Sequence, residues 1–106
     1  PIYNDVIKIG AIELNKRSKV VLRDGEIAKL TPLEFKILSL LMDNPGRVFS
    51  IEEIYERVWN EVAFNVDTVT VHIRRIREKI EINPKEPRYL KVVWGIGYKF
   101  EKDHRG

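Results

Sequence analysis

At Thr31 the apolar residues of this 106-residue chain change their period from two to 3.6 and keep the longer one as far as Asn83-Pro84. A strand region is therefore followed by a helical one, which points to an α+β fold. Before Thr31, Ile7, Ile9, Ile12, Leu14, Val20, Leu22 and Ile27 recur in short alternating runs separated by Asn15-Lys16-Arg17-Ser18 and by Asp24-Gly25. Asp-Gly between alternating runs marks a hairpin, because both central residues of a type I′ turn need positive φ. The expectation is a small antiparallel sheet of about four strands within 6–30.

The helical part opens with Thr31-Pro32-Leu33-Glu34, a capping box with proline at the first helical position, and Leu30 and Phe35 are placed to staple it. Leu33, Phe35, Ile37, Leu38, Leu40, Leu41 and Met42 cover most of the circumference, so this helix, about 32–44, should be central and buried. Asn44-Pro45-Gly46 stops it. Ser50-Ile51-Glu52-Glu53 repeats the capping signature, with Phe49 and Ile54 as staple and Ile51, Ile54, Tyr55 and Val58 as inner stripe, for a helix of about 51–60.

The third helix, about 66–82, has two incompatible faces. Val69, Ile73, Ile76 and Ile80 form one stripe, and Val71, Arg74, Arg75 and Glu78 gather opposite. The first face needs a core. The second offers guanidinium forks and an exposed aliphatic group, which are the groups that read guanine edges, phosphates and thymine methyls in a major groove. Either Asn65 or Asp67 can cap it. After Asn83-Pro84-Lys85-Glu86-Pro87, two short strands bracket Trp94-Gly95-Ile96-Gly97 and predict a hairpin of about 88–101. A helix-turn-helix followed by a hairpin is a winged arrangement.

Composition narrows the function. The formal net charge is only +3, but residues 50–61 hold one basic and four acidic groups while residues 62–106 hold ten basic and six acidic. Contact with a polyanion is therefore not expected of the middle; the carboxy-terminal part admits it, and a reading in which its charges merely solvate a surface fits the totals nearly as well. There is no cysteine, and the two histidines, His72 and His104, are far apart, so neither a disulfide framework nor a metal site or other cofactor is expected. Carboxylates sit at helix starts and turns, where structure explains them, and an enzyme is not expected. No apolar run approaches a membrane span, and Pro1-Ile2-Tyr3-Asn4-Asp5 lacks the regions of a signal peptide, so a soluble, cytoplasmic protein with no membrane partner is expected.

The segments Leu30-Thr-Pro-Leu-Glu-Phe-Lys-Ile-Leu38, Val48-Phe-Ser50, Val58-Trp59, Thr68-Val-Thr-Val-His-Ile-Arg-Arg-Ile-Arg77 and Val93-Trp-Gly-Ile-Gly-Tyr-Lys-Phe100 together resemble the DNA-binding output domain of OmpR/PhoB-type response regulators, a winged-helix family. The resemblance covers nearly the whole chain. It implies one winged-helix domain over 1–106, with a four-stranded amino-terminal sheet, three helices and a wing, the third helix in the major groove and the wing at the adjacent minor groove. It also implies promoter binding at direct repeats, a phosphorylated receiver domain in the full-length protein from which this output domain is excised, and contact of Asn60, Glu61, Val62, Ala63, Phe64 and Asn65 with RNA polymerase. Trp94 stands where many members place an arginine.

Within this frame Arg74, Arg75 and Val71 are the candidate base readers, and Thr68, Thr70 and His72 the candidate phosphate contacts. For His72, packing is an equal reading. For Arg77, phosphate contact and an internal salt bridge stand level. Arg47, Lys91, Lys99 and Gly95 are further candidates on the turn and wing. Packing across the hairpin is favoured for Trp94 over contact with the sugar backbone. A winged helix using the same arginines to hold an acidic protein partner is the alternative function.

Overall fold

The computed structural model describes residues 5–102, so His104 lies outside the described residues. Strands β1 (Val6–Ile9), β2 (Ile12–Asn15), β3 (Val20–Arg23) and β4 (Glu26–Ala28) form an antiparallel sheet in sequence order. Helices α1 (Pro32–Asp43), α2 (Ile51–Trp59) and α3 (Asp67–Ile80) follow, and β5 (Leu90–Val93) pairs with β6 (Gly97–Phe100) in a separate hairpin. This is the expected winged helix-turn-helix with an amino-terminal sheet.

Asp24 and Gly25 both have positive φ, 50° and 80°, and Arg23 pairs with Glu26, which is the two-residue turn the Asp-Gly signal demands. That turn also sets which residues of β3 face inward. The alternation had Val20 and Leu22 as the apolar positions, but Val21 is buried, opposite Leu14. Two residues in the turn leave only one pairing register, and it places Val21 and Arg23 on the core face with Leu14 and Ile12. Ile27 therefore points to solvent, 68 % exposed.

In α1 both halves of the capping box are present: Glu34 N donates to Thr31 Oγ1 (3.3 Å) and Thr31 N to Glu34 Oε1 (3.0 Å). The Glu34 side chain is buried, and Lys79 of α3 reaches its Oε1 at 2.5 Å. Burial alone would raise the Glu34 pKa; the bonds from Lys79 and the Thr31 amide outweigh it, and the carboxyl sits below its ordinary value. The second box is only half made. Ser50 Oγ accepts from Glu53 N (3.0 Å), but the Glu53 carboxylate is taken by Arg47 (2.7 Å) and Arg57 (3.0 Å).

Helix α3 has Val66 at its N-cap and no capping side chain, so neither Asn65 nor Asp67 fills the role expected of it. Its stripe of Val69, Ile73, Ile76 and Ile80 is fully buried against a core that includes Phe49, Ile54, Leu38, Leu41 and Phe100. Complete burial of such side chains is worth roughly 1.5–3 kcal/mol each. The helix stops at Ile80, two residues short of the expected end, because Glu81 turns inward. A carboxylate among arginines at a helix end has the look of a surface charge, yet Glu81 is buried and accepts backbone N–H bonds from Arg88 (2.8 Å), Tyr89 (3.0 Å) and Leu90 (2.8 Å). One carboxylate thus satisfies three amides at the start of the wing.

The wing is fixed a second time from its other strand. Phe49 and Tyr98 exchange backbone bonds (2.8 and 2.9 Å), so the segment before α2 adds a bridge to β6. A Cβ on Gly97 would lie 1.9 Å from the Phe49 carbonyl oxygen. Only glycine admits this approach of backbone to backbone.

Candidate nucleic-acid interface

The buried stripe of α3 leaves an arc whose edges the neighbouring elements define. On one edge Arg77 donates from Nε to the Leu90 carbonyl (2.9 Å) and lies over the Tyr98 ring, 5.6 Å from its centroid. On the other, His72 Nδ1 lies 2.7 Å from the Thr68 carbonyl, with its ring edge-on to Trp59 of α2 at 5.5 Å, and Lys79 is tied to α1. Between these edges run two ridges at i, i+4, i+7 spacing: Thr70–Arg74–Arg77 on the wing side and Val71–Arg75–Glu78 on the far side.

Arg74, Arg75 and Thr70 are exposed, while Val71, Thr68 and His72 are half-buried. Among the described residues neither Arg74 nor Arg75 has an internal hydrogen bond or ion pair. Their guanidinium forks are available to a ligand without first breaking an internal bond. His72 adopts the packing alternative, wedged between its own turn and Trp59, whose indole stacks on Tyr55 at 4.9 Å.

Of the two readings offered for Arg77, the internal salt bridge is absent: no carboxylate pairs with it among the described residues. Burial is the main cause of its lowered pKa, its Nε is committed to Leu90, and its second terminal nitrogen is enclosed without a partner. It acts as a strut between α3 and the wing. The register of the wing, not visible from residue types alone, determines this role.

The other cations read as phosphate partners are held by carboxylates. Arg47 bonds Glu53 and covers the Phe49 ring at 4.1 Å. Lys91 and Lys99 face each other across the hairpin, and each lies 3.4 Å from Glu101. Burial alone would raise the pKa of Glu101, but the two lysines draw it below the ordinary carboxylate value. The favoured packing of Trp94 across the hairpin is not what the structure has: Val93 pairs with Gly97, leaving a three-residue turn with Gly95 at φ 78° and Trp94 projecting, 88 % exposed. Ile96 beside it is 60 % exposed, an apolar feature the sequence reading had not singled out.

The connection of Asn60, Glu61, Val62, Ala63, Phe64 and Asn65 is tethered at two points. Tyr55 donates to Glu61 (2.7 Å), and Ala63 N donates to Glu56 (3.4 Å). Val62 and Phe64 nevertheless stand in solvent, 82 % and 91 % exposed. Asn60 begins the loop in the left-handed conformation, φ 57°. Among the described residues, no helix is long and apolar enough to cross a membrane.

Known proteins share this arrangement. The family model described as "Transcriptional regulatory protein, C terminal" matches residues 25–100. The uncharacterized transcriptional regulatory protein YcbL of Bacillus subtilis (strain 168) is 45% identical over 100 residues, covering 93% of this chain and 44% of that protein. The chain thus spans under half the length of that relative. Among solved structures, the Thermotoga maritima OmpR/PhoB homologue DrrB, a response regulator, superposes with a TM-score of 0.85 at 33% identity over 92% of this chain and 45% of its own. The DNA-binding domain of Klebsiella pneumoniae RstA, solved in complex with the RstA box, superposes with a TM-score of 0.84 at 25% identity over 93% and 99%.

Proposed function

The chain belongs to the family of transcriptional regulatory protein C-terminal domains, and from that premise we propose that it binds promoter DNA sequence-specifically as the output domain of a two-component response regulator. The observation that carries the reading is the pair of guanidinium groups, Arg74 and Arg75, without a hydrogen bond or ion pair among the described residues and on the open arc of a helix flanked by a wing. In a major groove such forks bond two acceptors on one guanine, and Val71 beside them is placed for a thymine methyl. Thr68 and Thr70 hold the helix on phosphates.

The same reading extends to the rest of the regulator. A receiver domain controls pairing of two such domains on direct repeats in the cytoplasm, and the exposed Val62 and Phe64 present the 60–65 loop to RNA polymerase. Selection of this chain on random duplex DNA followed by sequencing tests the proposal. Enrichment of a repeated motif is expected, and Arg75→Ala should weaken binding to it by roughly 1–3 kcal/mol while sparing unrelated duplexes. An equal loss on all sequences would reduce Arg75 to a phosphate contact, and no binding at low salt would leave the acidic protein partner as the function.

A further inference from the structure

The wing tip is chemically unlike its surroundings. From Val92 to Tyr98 there is no charged residue, and the turn raises Trp94 and Ile96 into solvent at 88 % and 60 % exposure. The cations nearest the tip, Lys91 and Lys99, are shared by Glu101 and lie at the stem. A tip of this kind adds nothing to charge neutralisation. It is also costly to leave in water beside an open, cationic helix face unless something covers it.

The position of the tip identifies what covers it. Arg77 ties the wing-side ridge of α3 to Leu90, so Thr70 and Arg74 on that ridge lead directly to the stem of the hairpin. From Leu90 to Trp94 the strand reaches about 13 Å, at roughly 3.3 Å per residue. With α3 in a major groove about 12 Å wide, a projection of that length from its flank crosses the bordering phosphate ridge and ends at the neighbouring minor groove. The exposed cations of the arc complement a polyanion, and the hairpin that carries the apolar tip is tied to the same helix through Arg77.

We propose that Trp94, backed by Ile96, is an apolar wedge that packs against deoxyribose and base edges in the minor groove, so that the wing of this chain holds DNA by stacking and contact area rather than by charge. This rests on the duplex-binding reading above. It follows that the wing contributes affinity without contributing to the salt dependence, since no phosphate is neutralised and no counterion released by it.

The test uses the duplex enriched by selection with the unsubstituted chain. Trp94→Ala should weaken binding about tenfold, within the range for losing an aromatic stack on a base, with the slope of log affinity against log salt unchanged. Trp94→Phe should retain most of the affinity, and Trp94→Arg should steepen the slope by about 0.9, one phosphate's worth. In a Trp59→Phe background the remaining indole emission should change on adding the duplex. If Trp94→Ala binds as tightly as the unsubstituted chain while Arg75→Ala loses the site, the wedge is wrong and the helix reading stands. If the unsubstituted chain binds no duplex, both fall. Unchanged indole emission at saturating duplex also overturns the wedge, whatever the affinities.

Discussion

Two hairpins of this chain are built from similar local signals and serve opposite ends. The β3–β4 hairpin turns on Asp24-Gly25, and a Cβ at Gly25 would meet nothing within 4 Å. The β5–β6 hairpin turns on Trp94-Gly95-Ile96 and is gripped at its stem by Glu81, by Arg77 and by the backbone of Phe49. In the first, tertiary contact lies along the strand faces and the tip is inert. In the second the stem is over-determined and the tip is left bare. A turn sequence thus predicts a hairpin equally well in both places, but only the stem contacts distinguish a piece of scaffold from a presented tool.

The comparison breaks most sharply at the two glycines. Gly97→Ala should destabilise the fold by about 3 kcal/mol or more, since its methyl meets immobile backbone. Gly25→Ala should cost only about 1–2 kcal/mol, from positive φ alone. Chemical denaturation of both variants decides it, and equal losses would mean that the wing stem gives way easily. Next in size is Glu81→Gln, which weakens the acceptor of three amides and should cost about 2 kcal/mol. Hydrogen exchange should rise at Leu90 while the β3–β4 amides stay protected.

Acid provides a smaller and selective probe. The folded pKa of Glu101 is depressed, burial opposing and the two lysines prevailing, so its contribution is complete above the ordinary carboxylate value and fades as pH falls through the lower, folded one. The wing should therefore lose exchange protection below about pH 4.5, and Glu101→Gln should remove that component. The smallest expected effect is that of Trp94→Ala on stability, within about 0.5 kcal/mol by thermal melting, because the side chain touches little of the fold.

The wing and the sheet also show where sequence was legible. Periodicity and capping signatures identified all three helices, the sheet and the wing, because each depends on neighbours within a turn or two. Val21 escaped, since a one-residue choice of face in a short strand is settled by pairing across the sheet. Glu81 and Arg77 escaped for a similar reason: a carboxylate or guanidinium looks like surface until the chain returns with amides or a carbonyl to satisfy it. For the interface, residue types located Arg74 and Arg75 on the open arc, but only tertiary structure revealed that Arg47, Lys91 and Lys99 are already engaged by acids.

The bridge between Phe49 and Tyr98 has a mechanical meaning. It joins the wing to the segment that leads into α2, while Arg77 joins the wing to α3, so both helices are bolted to one frame. On the duplex-binding reading proposed above, a caliper held in this way does not widen to suit a different helical pitch; the adjustment would fall on the duplex, favouring sites whose grooves yield to the fixed gap before any base is touched.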